Sequence, residues 1–192
     1  MGKNKDERID KKQTNEKRPS KAKNKIIIIA IIAAIVATLA VVSNKLDSAS
    51  TTRADNVPLI DAIECDIGES LVFHIHAHLD IFVNGNLIKV PAFIGINDNT
   101  CLYWLHTHLP DGIIHIESPQ EKVFTLGQFF DIWKSTSTGM PPTDSAPIIY
   151  VNGQAVTTSL KDTPLHAHDE IALVYGNPPT KIPAFYQFPE GE

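Results

Sequence analysis

The sequence predicts an α+β protein. We expect a mainly antiparallel β-sheet domain, β-grasp-like or sandwich-like, with one covering helix and a single transmembrane helix before it. Residues 26–42 form an apolar run that approaches the thickness of a bilayer. Several later segments alternate apolar and polar residues, as half-buried strands do, and two of them end in the hairpin dipeptide Asn-Gly. One segment near residue 130 has the period of an amphipathic helix.

The N-terminal part is predicted to be a membrane anchor. The run IIIIAIIAAIVATLAVV has Thr38 as its one polar residue, and as a helix it would be ~26 Å long. Residues 1–25 carry a net charge of +6 and the rest of the chain −11. The positive-inside rule therefore predicts a cytoplasmic N-terminus and an extracytoplasmic C-terminal domain at the cell membrane. A cleaved signal peptide is the alternative.

The predicted parts follow one another simply. The basic tail contains no aromatic residue, so we expect no binding to nucleic acid. In order, the parts are a disordered basic tail (1–25), a transmembrane helix (26–43), a polar linker (44–56), the extracytoplasmic β domain (57–177) and a Pro-rich tail (178–192).

The first strand of the domain is predicted at 71–83. Successive side chains of a strand point to opposite faces, so its apolar residues share one face. Three histidines and Asp80 then share the other. Asn84-Gly85 predicts a tight hairpin and a return strand at 86–91.

The remaining elements follow from similar signals. We predict a strand at 101–108, a turn at 109–112 and its hairpin partner at 113–117. The second half has strands at 148–151 and 154–158 around another Asn-Gly turn, and a last strand at 171–175.

One helix is predicted from residue 126. Thr125 is a good N-cap, and Gln128 stands three residues later, as a capping box requires. Leu126, Phe129 and Trp133 then recur on one helical face. This apolar stripe is typical of a helix that packs on a sheet.

The two cysteines, Cys65 and Cys101, fall in the predicted external part. In an oxidising compartment two thiols are usually bridged, so we predict a disulfide. The alternative is a thiolate ligand, because Cys101 stands five residues before His106.

The histidines point to a metal site. All eight lie between residues 74 and 168, and they include three His-x-His pairs. Zinc and copper accept neutral imidazole at about 2.0–2.1 Å, and a His-x-His pair on a strand turns both rings to one side. We predict seven ligands: His76, His78, His106, His108, His115, His166 and His168.

Some of these residues fit the geometry better than others. His106, His108 and His115 fit best, because the turn at 109–112 would pair their strands. Asp80 and Glu117 are either further ligands or acceptors that orient an imidazole. His74 is expected beside the site, in the same supporting role.

The sequence leaves three functions open, and whether the protein is an enzyme is one of the open questions. The favoured one is a membrane-anchored, extracytoplasmic protein that binds a copper or zinc ion. A site of three histidines with an open position would instead suit a metal-dependent lyase or hydrolase. The third is an envelope interaction protein with a pH-responsive histidine cluster, whose protein partner is unknown.

The segments HIHAHLDIFVNG, LHTHLPDGIIHIESP and FTLGQFFDIW resemble a family of secreted or membrane-anchored His-rich proteins from archaea and bacteria. The likeness covers most of residues 70–190. It implies an extracytoplasmic domain with the same histidines and brings no established activity. Residues 147–175 are also similar to the β-grasp of sulfur-carrier proteins, but this chain contains no Gly-Gly motif, so carrier chemistry is not expected.

Overall fold

The computed structural model describes residues 31, 32, 35, 54, 56–70, 72–97, 100–142 and 145–192. The chain divides into two units, Met1–Ala49 and Ser50–Glu192. In the first unit, residues 31, 32 and 35 are helical. No helix within the described ranges is long and apolar enough to span a membrane. Most of the predicted helix at 26–43, the tail at 1–25 and most of the linker at 44–56 lie outside these ranges.

The second unit is an α+β structure, as predicted. Its described residues form twelve strands, one α-helix and one short 3-10 helix at Leu160–Asp162. The elements are β1 (Cys65–Asp66), β2 (Phe73–Val83), β3 (Asn86–Ile88), β4 (Ile96–Asn97), β5 (Cys101–Tyr103), β6 (Leu105–His106), β7 (Ile113–Ser118), β8 (Phe124–Thr125), α1 (Leu126–Thr136), β9 (Ile148–Val151), β10 (Gln154–Val156), β11 (Pro164–Leu165) and β12 (Glu170–Tyr175).

Seven strands form the main sheet, in the order β10-β9-β12-β2-β7-β6, with β3 also paired to β2. All of its pairings are antiparallel except one, because β12 runs parallel to β2. Both Asn-Gly hairpins form where the sequence predicted them, joining β2 to β3 and β9 to β10. The long strand β2 is thus the centre of the sheet.

Helix α1 covers one face of this sheet. The capping box is confirmed: the Thr125 hydroxyl accepts a hydrogen bond from the Gln128 N–H, and the Gln128 side chain accepts one from the Thr125 N–H. Phe129 and Trp133 are fully buried in one core with Leu79 of β2. Each fully buried apolar side chain stabilises the fold by about 1.5–3 kcal/mol. This core therefore fixes the position of β2.

The chain leaves a small sheet and enters the main one at Trp104. The sequence predicted one strand at 101–108, but the structure breaks it there into β5 and β6. Strand β5 belongs to the small sheet β1-β5-β4. The Trp104 indole Nε1 donates a hydrogen bond to Asp66 at 2.8 Å, which anchors the corner. The predicted disulfide between Cys65 and Cys101 is confirmed and closes the same small sheet, with Cα atoms 5.4 Å apart.

The second face of the main sheet is divided between apolar and polar residues. Phe82 and Val174 are buried there, and Ile182 packs against them from the segment 178–192. The predicted Pro-rich tail thus lies against the domain surface. The rest of the face carries the histidines of β2 and β7.

Candidate metal centre

Three adjacent strands, with the bend that follows β6, bring five imidazoles to one place. Strand β7 lies between β2 and β6, and His115 of β7 is directly opposite both His76 of β2 and His106 of β6. Residues opposite each other on neighbouring strands place their Cβ atoms on one face, about 4.5–5.5 Å apart. His74 and His108 lie two positions away from this row. We call these five residues the imidazole cluster.

Ring nitrogens in the imidazole cluster have the separation of ligands on one ion. His76 Nε2 lies 3.0 Å from His74 Nε2 and 3.0 Å from His115 Nδ1. His106 Nε2 lies 3.2 Å from His108 Nε2. Metal–nitrogen bonds of 2.0–2.1 Å place neighbouring ligand atoms about 3 Å apart. The geometry therefore suits coordination of a metal ion.

The His106 ring is oriented by the main chain. Its Nδ1 lies 2.9 Å from the carbonyl oxygen of Tyr103. A carbonyl oxygen only accepts hydrogen bonds, so Nδ1 carries the hydrogen and Nε2 keeps its lone pair for the cluster. Such an outer hydrogen bond is what fixes the ring of a metal-binding histidine.

Two sets of three imidazoles bring their ligand atoms within 4.8 Å of one another. One set is His106, His108 and His115, the set expected from the turn at 109–112. The other is His74, His76 and His115, so His74 lies inside the cluster and not beside it. The role of these residues as ligands stays a prediction.

His78 stands apart from the imidazole cluster. Its Nδ1 lies 2.7 Å from Glu170 Oε2, and its Nε2 lies 2.8 Å from the carbonyl oxygen of Asp111. The ring of Tyr186 stacks on it at 3.6 Å. Burial opposes a charge on His78, but the hydrogen bond and charge of Glu170 outweigh it and raise the pKa. Both ring nitrogens of His78 thus face hydrogen-bond acceptors. Asp80 lies near as well, because His78, Asp80 and Glu170 bring their ligand atoms within 4.8 Å of one another.

His166 and His168, two of the predicted ligands, lie in a turn and not on a strand. The Asp169 side chain accepts a hydrogen bond from the His166 N–H at 3.1 Å, and His168 has a φ of 61°. This left-handed turn leaves the His166 side chain 62% exposed. Neither residue belongs to a set of converging ligand atoms in the described part of the chain.

Glu117 lies against the imidazole cluster. Its Oε1 is 3.1 Å from His74 Nε2 and 3.8 Å from His115 Nδ1. It also forms a group of converging atoms with His106 and Glu69. Its Oε2 is buried and has no hydrogen-bond partner among the residues described. A carboxylate in this position could be a further ligand or an acceptor, and the role of Glu117 stays a prediction.

Two carboxylates at the cluster were not predicted. Glu69 Oε1 lies 3.4 Å from His108 Nε2, and Glu192 Oε2 lies 3.0 Å from His76 Nε2. Neither residue stands at a ligand-like spacing from a histidine in the sequence, so no local pattern predicted it. Glu170 was also missed, although it follows the run His166 to Asp169 directly.

The electrostatics of the cluster favour metal binding. Burial, with repulsion from neighbouring imidazoles, lowers the pKa of His76 and of His106 to about 4 and that of His115 to about 3. These rings are therefore neutral at physiological pH, the form that coordinates metals. Burial, with two neighbouring carboxylates, raises the pKa of Glu117 to about 7.

The chain matches no protein-family model, no curated protein and no solved structure.

Proposed function

We propose that this protein is a membrane-anchored, extracytoplasmic protein that binds a transition metal, copper or zinc, through the imidazole cluster. The observation that carries the proposal is the convergence of ring nitrogens from β2, β7 and the end of β6. In each set they lie within 4.8 Å of one another, and three pairs are 3.0–3.2 Å apart. Imidazole is a ligand well suited to both metals. The neutral state of the buried rings supports the same conclusion.

The test is metal binding by the full chain, purified in detergent and freed of metal. Zn²⁺ and Cu²⁺ should bind saturably and raise the unfolding temperature, because free metal at about 100 times Kd adds about 2.7 kcal/mol to stability. His115→Ala should weaken binding, since His115 belongs to both sets of imidazoles. His166→Ala is the matched control and should bind normally. Absence of saturable binding would contradict the proposal.

A metal-dependent hydrolase or lyase is the second candidate, and one observation favours it. Each set holds three imidazoles, which leaves a fourth position for water on a tetrahedral ion. Glu117, with its pKa raised to about 7, has the proton affinity of a general base beside that water. The Co²⁺-loaded protein distinguishes the two functions: a water exchangeable for added anions supports the enzyme, and a closed shell supports binding alone.

The pH-responsive interaction protein receives less support. A histidine switch needs a pKa near the working pH. Three of the five imidazoles have pKa values lowered to about 4 or about 3, so they stay neutral across the physiological range. This function would be favoured if partner binding changed between pH 7 and 5 without any metal.

The membrane location rests on the sequence. The apolar run at 26–42 and the charge difference across it support a single-pass anchor with the β domain outside the cell membrane. Protease added to intact cells should degrade the domain and spare the N-terminal tail. We also propose, from the three segments quoted above, that the chain belongs to the His-rich family of secreted or membrane-anchored proteins.

The strand order supports a β-grasp-like fold over a sandwich. Two hairpins, β2-β3 and β9-β10, flank helix α1, and the last strand β12 enters between them parallel to β2. We propose that β4 to β7 are an insertion into this arrangement. An experimental structure in which β12 pairs elsewhere would contradict it.

A further inference from the structure

The imidazole cluster holds more ligands than one ion uses. A tetrahedral ion takes four ligands. If it takes His106, His108 and His115, it leaves His74 and His76 with ring nitrogens still 3.0 Å apart. The two sets of three imidazoles have only His115 in common. The cluster therefore contains two chelating pairs, one from β2 and one from the chain around the end of β6.

Each chelating pair has a carboxylate of its own. On the β2 side, Glu192 Oε2 lies 3.0 Å from His76 Nε2. On the β6 side, Glu69 Oε1 lies 3.4 Å from His108 Nε2. Zinc and copper sites accept carboxylate oxygen together with imidazole nitrogen. The same donor set of two nitrogens and one oxygen thus occurs twice.

Glu117 faces both pairs. Its Oε1 lies 3.1 Å from His74 Nε2, and the residue also converges with His106 and Glu69 within 4.8 Å. Its buried Oε2 has no hydrogen-bond partner in the described ranges. A carboxylate has two oxygens, so it can bind a different ion with each. Paired metal ions in proteins lie about 3.5–4 Å apart, a distance that one carboxylate spans.

We infer that the imidazole cluster is a dinuclear centre for two divalent transition-metal ions, one held by His74 and His76 and the other by His106 and His108, with Glu117 as the bridge. This inference rests on the proposed metal-binding function. The charges agree with it, because three carboxylates lie against the imidazoles here and two divalent ions nearly balance them. The shared imidazole of β7 completes one of the two coordination shells.

The experiment counts metal ions bound by the full chain in detergent. Equilibrium dialysis against Zn²⁺, followed by elemental analysis, should give two ions per chain. His74→Ala and His108→Ala should each give one, because each removes a ligand from one pair only. Their side chains are 31% and 35% exposed, so the replacements spare the core. His166→Ala, the control, should keep two ions.

Cu²⁺ provides a second measurement that does not depend on counting. Two bridged Cu²⁺ ions couple their electron spins. The electron paramagnetic resonance spectrum of the wild type should therefore broaden and lose intensity as the second ion binds. The spectrum of His74→Ala should be that of an isolated Cu²⁺ ion.

The outcomes separate this inference from the proposed function. One Zn²⁺ ion per wild-type chain would overturn the dinuclear centre and leave the binding function standing. Loss of all metal in either single-pair variant would do the same, because one ion would then use both pairs. Two uncoupled Cu²⁺ ions would overturn the bridge. No bound metal at all would overturn the proposed function as well.

Discussion

Thr107, which stands between two residues of the imidazole cluster, should stabilise the domain through its hydroxyl. The side chain is completely buried. The hydroxyl donates a hydrogen bond to the carbonyl oxygen of Pro91 at 2.9 Å and accepts one from the Ile94 N–H at 3.1 Å. Thr107→Val keeps the shape of the side chain but removes both bonds. A buried polar group left without its partner costs about 1–3 kcal/mol, and two groups lose their partner here, so the expected loss is about 2–6 kcal/mol.

Urea denaturation of the metal-free chain measures this loss, with Thr107→Ser as the matched control. Serine keeps the hydroxyl and removes one methyl group, which costs about 1 kcal/mol. The valine variant should therefore have the lower unfolding midpoint, at an unchanged slope. It should also bind Zn²⁺ more weakly than the serine variant, because the loop that the hydroxyl holds lies against the strand carrying His106. A valine variant as stable as the serine variant would refute this reasoning.

Three further outcomes are expected. Gly112→Ala should lower the free energy of unfolding by several kcal/mol, because φ is +90° and a Cβ would lie 2.6 Å from a carbonyl oxygen of β2. Thermal denaturation measures this loss, and Gly68→Ala, where a Cβ would meet no atom within 4 Å, is the control and should be nearly neutral. Replacing Cys65 and Cys101 together by Ala should lower the free energy of unfolding by about 2–5 kcal/mol, and an equal stability of both forms in urea would contradict a bridge in the folded protein. In the metal-free protein, the pKa of His115 is lowered to about 3, so its stabilisation is complete above its unfolded value of 6.5 and is lost as the pH falls. From pH 7 to 5 this loss is about 2 kcal/mol, and His115→Gln should lose that much less than the wild type over the same range.

The local elements could be predicted because their signals are local. The capping box at Thr125, the Asn-Gly turns and the period of two in β2 each depend on residues close in sequence. The parallel pairing of β12 with β2 has no such signal, since it joins segments about 90 residues apart. For that reason the sequence missed Glu170, which lies opposite His78 in this pairing.

The candidate site shows the same division. The alignment of His106 with His115 follows from the hairpin of β6 and β7, which the turn at 109–112 predicted. The His-x-His pattern alone, however, does not predict that two rings join the site. After Leu165 it is followed by Asp169, whose side chain stabilises a turn, and the strand needed to align the two rings is absent among the described residues there. The same spacing brings two rings together in β2 and around the end of β6, but not in the turn after Leu165.

In the metal-free imidazole cluster, the groups around His76 Nε2 cannot all be hydrogen-bonded at once, and a bound metal ion would remove this conflict. His76 Nε2 lies 3.0 Å from His74 Nε2, 3.0 Å from His115 Nδ1 and 3.0 Å from Glu192 Oε2. A ring nitrogen carries at most one hydrogen, so it can satisfy only one of these three neighbours. The strands cannot move apart to relieve this, because their other face is fixed in the core under α1. A divalent ion accepts all of these lone pairs at once, and since the rings are already held in position, its binding requires little ordering of the protein.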